Sequence, residues 1–315
     1  MPKTVRDHGG GIDAAAARFG GSRQDWIDLS TGINPVCYPI GQITSDAWTA
    51  LPDKAAHNAL ISAARDFWNV PDGAEILATP GASAPIAMIP RLREAGQVHI
   101  ATPTYNEHAA AFAATGWAES SNLNDADAQV IVHPNNPDGR LFGPDALHAP
   151  LRIIDESFCD VSPQDTLVAQ AATDGTIVLK SFGKFWGLAG LRLGFAIGDP
   201  ALIAKLQEML GPWPVAGPAL EIGARALSDH HWAEQTRERL ENDSERLDAM
   251  MRSSGAEVLG GTSLFRLYEV PDAAKWQDRL ARRHIWSRVF PYNTRWLRLG
   301  LPSPEQWDRL AAALT

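Results

Sequence analysis

Cysteine is scarce in this sequence, with only Cys37 and Cys159 among 315 residues. They lie far apart, so no disulfide framework is expected, and neither has a metal-type spacing to another cysteine or a histidine. Long apolar runs are missing too, and the start, MPKTVRDHGGG, has no apolar leader core, which predicts a soluble cytoplasmic protein. Positive charge is in deficit: 28 Lys and Arg stand against 37 Asp and Glu, a net charge of -9. That argues against general binding to nucleic acid or anionic membranes, while leaving room for a local basic pocket. The nine histidines are scattered. His230 and His231 are adjacent and would point different ways on a helix, so no metal site is expected.

Familiar nucleotide and hydrolase signatures are absent as well. Lys184 is followed by Phe185, so there is no phosphate-binding G-x-x-x-x-G-K-[ST], and no G-x-S-x-G occurs. GGGIDA at 9–14 matches G-x-G-x-x-A, but no strand pattern precedes it.

The chain does contain a repeated alternation. QVHIATP, AQVIVHP, LRIIDESF, TIVLKSF and LRLGFAIG read as strands, with SAPIAMIPRLREAG and YNEHAAAFAATG as helices between them. This predicts an α/β domain with a mostly parallel sheet, whose ligand crevice lies beyond the carboxyl ends of the strands. Residues 229–254 predict a long helix, capped by Asp229 and stopped by Gly255. SLFRLYEV, WQDRLARRHI and WLRLGLP then suggest a smaller α+β unit. The expected division is a large domain over 41–228, with 1–40 and 229–315 forming the small one.

Four stretches fall at expected strand ends. TPGASAP at 79–85 offers small residues, Gly81, Ala82 and Ser83, that let backbone amides approach an anion. HPNNPDG at 133–139 places the polar Asn136 where a buried strand stops. IIDESF at 153–158 puts Asp155 directly after an apolar run, where a carboxylate needs a cationic or hydrogen-bonding partner. SFGKFWGLAGLRLGF at 181–195 holds Ser181, Lys184 and Arg192 among glycines. A lysine nucleophile, an acid and an anion cradle together match pyridoxal 5'-phosphate, which carries an aldehyde, a ring nitrogen, a phenolic oxygen and a phosphate.

The order PGAS, PTYNEH, PNNPDG, IDESF, SFGKFWGLAGLRLGF resembles fold-type I pyridoxal-phosphate enzymes of the class I/II aminotransferase family, over nearly the whole chain. The resemblance implies a large domain with a mostly parallel sheet, a small α+β domain and a homodimer. It assigns Lys184 to the cofactor aldehyde, Asp155 to the ring nitrogen, Asn136 to the phenolic oxygen and Tyr105 to the ring face. Gly81, Ala82, Ser83, Ser181 and Arg192 would hold the cofactor phosphate, and Arg298 the substrate carboxylate. Two positions depart from the pattern. Phe158 stands where a tyrosine is common, and Leu51-Pro52 replaces a tyrosine-proline pair that commonly reaches the partner's phosphate.

DHGG at 7–10, WIDLSTGINP, WTALPD and SRVFPYNTRWLRLGLP narrow the resemblance to members acting on phosphorylated amino acids or amines. A decarboxylating branch comes first and a transaminating branch second. His8, Gly9, Asn34, Arg288 and Arg298 are the expected substrate contacts. A regulatory cofactor-binding module is disfavoured, because the chain is acidic and has no spare length for a DNA-binding domain.

Overall fold

The computed structural model describes residues 7–315. The chain divides into two compact units. One comprises Cys37–Asn136 and Arg140–Gln235; the other comprises the residues up to Val36, Pro137–Gly139 and Thr236–Thr315. The second edge between the units lies inside the continuous helix His230–Ser253.

The larger unit is built on seven strands: β1 (Glu75–Thr79), β2 (Gln97–Ile100), β3 (Ala118–Glu119), β4 (Ala128–Val132), β5 (Leu151–Asp155), β6 (Thr176–Ser181) and β7 (Gly194–Gly198). Their order across the sheet is β1-β7-β6-β5-β4-β2-β3. All pairs are parallel except those made by β7, which runs antiparallel to both β1 and β6. The central strands are buried on both faces, which explains their unbroken apolar runs, AQVIV and LRIID. Val130 pairs with Ile153 and Ile153 with Ile177, forming rows that pack with Phe112, Leu202 and Leu206 from the helices. The expected helix at SAPIAMIPRLREAG is shorter than its pattern. It spans Ser83–Met88 and passes into a 3-10 turn, where Pro90 lacks the amide a longer helix would need.

The smaller unit contains a four-stranded antiparallel sheet of β8 (Glu257–Thr262), β9 (Phe265–Glu269), β10 (Arg288–Phe290) and β11 (Asn293–Gly300), ordered β10-β11-β9-β8. Residues of the N-terminal segment belong to this unit, where Ile27–Asp28 pairs in parallel with Ile285–Trp286. Helix Ile12–Phe19 packs there, with Ile12 and Ala15 against Trp26 and Ala281. The long helix begins as the sequence predicts: Asp229 Oδ1 accepts the Trp232 amide at 3.0 Å. Among the described residues, no helix is long and apolar enough to cross a membrane.

Candidate active site

The polar residues of the larger unit collect at the ends of its parallel strands. β1 leads into Gly81–Ser83, β4 into Asn135-Asn136, β5 ends on Asp155, and β6 ends on Ser181 ahead of Lys184. Because β7 is reversed, its beginning lies at this same edge, and Arg192 sits two residues before it.

Asp155 is 2 % exposed. Its Oδ2 lies 2.8 Å from His108 Nε2, and its Oδ1 accepts the Ser157 amide at 3.0 Å and the Ser157 hydroxyl at 2.5 Å. Burial alone would raise the pKa of this carboxyl, but His108 and Ser157 together outweigh burial and hold it below the usual value. The group therefore stays an anion, as a partner for a protonated ring nitrogen must. Tyr105 directly precedes the helix Asn106–Ala114 that carries His108, and the two rings meet edge to face at 6.1 Å. Motif reading did not single out His108, although it stands one turn after Tyr105 within the quoted PTYNEH.

Lys184 lies half-buried in the turn after β6, its Nζ 5.2 Å from the Phe158 ring centroid. Phe158, where a tyrosine would offer a hydroxyl, thus gives the ammonium only a ring face.

The two asparagines of HPNNPDG have different tasks. Asn135 is fully buried: its amide donates to the Arg140 carbonyl at 2.9 Å and its Nδ2 to the Pro103 carbonyl at 3.0 Å, while its Oδ1 accepts from Thr104 Oγ1 at 2.6 Å. It locks the end of β4 to the turn that presents Tyr105. Asn136 is less buried and is placed at the same strand edge.

The expected anion cradle is tightly drawn. Gly81 has φ +76°, and a Cβ added there would stand 2.4 Å from Arg192 Nη2. Gly194 is equally confined, since its Cβ would meet the Ala82 amide nitrogen at 2.5 Å. Arg192 itself is solvent-exposed, and its Nη1 donates to the Ala189 carbonyl at 3.0 Å. Ser181 Oγ accepts the Gly183 amide at 3.4 Å. Leu51 is exposed at the surface.

The smaller unit holds the other expected residues. Arg288 on β10 and Arg298 on β11 are directly paired across the sheet. Arg298 is 4 % exposed, donates to the Ser30 carbonyl at 2.7 Å and lies 5.0 Å from the Phe265 ring centroid. Burial, with the Arg288 charge as a second cause, lowers its pKa to about 9. Arg288 donates to Asp7 Oδ1 at 2.9 Å and to the Asp7 carbonyl at 2.8 Å. His8 follows and is exposed. Gly9 fits where a Cβ would come within 2.4 Å of the Ser30 carbonyl oxygen, so Ser30 is approached by both Gly9 and Arg298. Asn34 is buried, and its Oδ1 accepts from Arg239 Nη2 at 2.7 Å and from the Val36 amide at 3.0 Å.

His133, Glu156 and Cys159 bring ligand atoms within 4.8 Å of one another. These groups already serve one another's loops. His133 Nδ1 accepts the Phe142 amide and its Nε2 donates to the Asp165 carbonyl, while Glu156 takes bonds from Thr166 and Leu167. Burial raises the pKa of the Cys159 thiol, opposing the thiolate a metal would need.

This fold and this set of strand-end residues define a class. The family model for class I and II aminotransferases matches residues 42–314, and the chain belongs to that family. A relative from Sinorhizobium sp named threonine-phosphate decarboxylase is 42% identical, with 98% of this chain and 97% of the relative covered. A histidinol-phosphate aminotransferase of Aeromonas hydrophila is 28% identical over 68% of this chain and 67% of its own length. In fold, the chain is similar to the histidinol-phosphate aminotransferase from Sinorhizobium meliloti solved with pyridoxal-5'-phosphate. The TM-score is 0.84 at 20% identity, covering 100% of this chain and 97% of that one.

The donor set fits pyridoxal phosphate. A buried carboxylate is kept ionised at Asp155, an amine stands at Lys184, and a glycine at Gly81 leaves the space beside Arg192 that a side chain would fill.

Proposed function

We propose that this protein decarboxylates L-threonine O-3-phosphate to (R)-1-amino-2-propanol O-2-phosphate, a step of cobalamin biosynthesis, with pyridoxal 5'-phosphate as cofactor. The observation that carries this reading is the end-to-end likeness to a threonine-phosphate decarboxylase, which extends through both units. The placement of Arg288 and Arg298 as cross-strand neighbours supports it, because the substrate carries two anionic groups.

The bound cofactor supplies the electron sink for the pair released as carbon dioxide leaves. Asp155, held by His108 and Ser157, would keep the ring nitrogen protonated. Asn136 would contact the phenolic oxygen and Tyr105 would cover the ring. Gly81, Ala82, Ser83, Ser181 and Arg192 would hold the cofactor phosphate. Lys184 would provide the amine for the aldehyde and a proton for the substrate carbon. Arg298 binds the substrate carboxylate, while Arg288, His8 and the Gly9 backbone bind its phosphate, with Asn34 bordering the substrate. Clamping both anions decides which bond at the substrate's α-carbon is aligned for cleavage. A homodimer in the cytoplasm completes the reading; exposed Trp48, Leu51 and Trp213 on the larger unit are apolar surface suited to a second copy.

The test is carbon dioxide release from L-threonine O-3-phosphate by cofactor-loaded protein without any oxo acid. Sustained release is the expected result. Absence of release, with glutamate formed from histidinol phosphate and 2-oxoglutarate, would make the protein an aminotransferase instead.

A further inference from the structure

Behind the cofactor residues lies a buried polar cluster that the reaction does not use. Lys180, 1 % exposed, places Nζ 2.6 Å from Glu156 Oε2 and 3.6 Å from Asp160 Oδ1. Asp160 Oδ1 also accepts from Trp68 Nε1 at 2.8 Å, and Asp160 Oδ2 accepts from Trp186 Nε1 at 3.1 Å. Burial opposes the Lys180 charge, but Glu156 and Asp160 more than restore it. Two carboxylates and one ammonium are thus kept out of water, an arrangement that well-packed apolar side chains could often replace without loss of stability.

The placement of these bonds is informative. Glu156 and Asp160 lie on the loop leaving β5, the loop that carries Asp155 and Phe158. Lys180 and Trp186 lie on the end of β6 and its following turn, the segment that carries Ser181 and Lys184. The two segments are therefore tied twice, at their base by Glu156–Lys180 and at their tip by Asp160–Trp186. Phe158 and Lys184 fall between the ties, and Asp155 lies immediately before the first. On either side of Lys184, Phe182, Phe185 and Trp186 are fully buried. The Trp186 ring stacks on Phe182 at 5.0 Å and on Trp232 at 5.3 Å. Tyr38, Phe67 and Phe185 also meet this buried ring, at steep angles, and the bond from its Nε1 to Asp160 is the directional contact that joins it to the β5 loop.

We propose that Asp160 and Trp186 are a positioning pair for Lys184, setting where its amine stands relative to Phe158 and Asp155. The inference rests on the reading that Lys184 holds the cofactor. A group that must meet a reacting carbon is sensitive to displacements well under an ångström, so loss of the bond should appear in the chemistry before it appears in the fold.

Trp186→Phe tests this, because it deletes the N–H donor and keeps a ring for the stack; Asp160→Asn is its complement. With cofactor-loaded proteins, three quantities are measured: the pH midpoint of the visible absorbance of the lysine-bound cofactor, kcat and KM for L-threonine O-3-phosphate, and the melting temperature. The expected result for Trp186→Phe is a shifted midpoint and a kcat lower by about tenfold, with KM within about twofold of wild type. An unchanged midpoint and kcat beside a lowered melting temperature would overturn the proposal and make the pair structural only. Lys184→Ala separates the two readings. If that protein keeps the lysine-bound absorbance, the assignment of Lys184 falls, whatever the other variants show.

Discussion

His108 Nε2 stands 2.8 Å from Asp155 Oδ2, with both side chains out of water. Removing this contact in His108→Phe leaves burial to dominate at Asp155, and its pKa rises. The acid limb of the kcat profile should move to higher pH, and kcat should fall by at least about tenfold. A pH–rate profile checks this, and an acid limb at the wild-type position would contradict it.

Asp155 also links acid stability to the site. Its folded-state pKa lies below the ordinary carboxyl value, so its contribution to stability is present above that value. That contribution is lost as pH falls through the folded-state pKa. Asp155→Asn should remove this part of the acid dependence. Melting temperatures across the acid range should converge for the two proteins at the lowest pH.

Phe158→Tyr should return a hydroxyl to the site. A phenol donating to the cofactor's phenolic oxygen favours the anionic form of that oxygen, so the lysine-bound chromophore should lose its proton at lower pH, by roughly one unit. An absorbance titration reads the midpoint directly. No shift would place the new hydroxyl away from the cofactor.

Gly81→Ala should weaken cofactor binding by at least about tenfold, because the left-handed backbone is strained by a side chain and the methyl meets Arg192 Nη2. Dissociation constants from cofactor titration of the apo protein would show it. Wild-type affinity would mean that the cradle can relax around the methyl.

The arginines should separate by substrate group. Arg288→Gln should raise KM for the phosphorylated substrate by about tenfold to a hundredfold, leaving cofactor absorbance unchanged. Its effect on unphosphorylated threonine should be small. Equal effects on both substrates would argue that Arg288 does not meet the phosphate.

Much of the site was legible because strand ends mark themselves. IIDESF and TIVLKSF announce an apolar strand that stops on a polar residue, and the structure ends β5 at Asp155 and β6 at Ser181. Partners brought together by folding left a weaker mark. His108 looks like any residue on a helix until Asp155, 47 positions away, closes on it. Asn135 and Asn136 are indistinguishable in sequence, yet the first is spent inside the fold on Pro103 and Thr104. β1, EILAT, is not among the expected strands, although strands as short as β2 and as reversed as β7 are. The long helix was visible from its own period and cap.

The reversed strand has one more implication. On the proposed assignments, Lys184 and Arg192 would take two different groups of the cofactor, aldehyde and phosphate, from a single connection between β6 and β7. Such a tweezer couples its two tips. A disturbance that lets the connection breathe should loosen the covalent link and the ionic anchor together, so holoenzyme that loses one should shed the whole cofactor rather than retain it by the other.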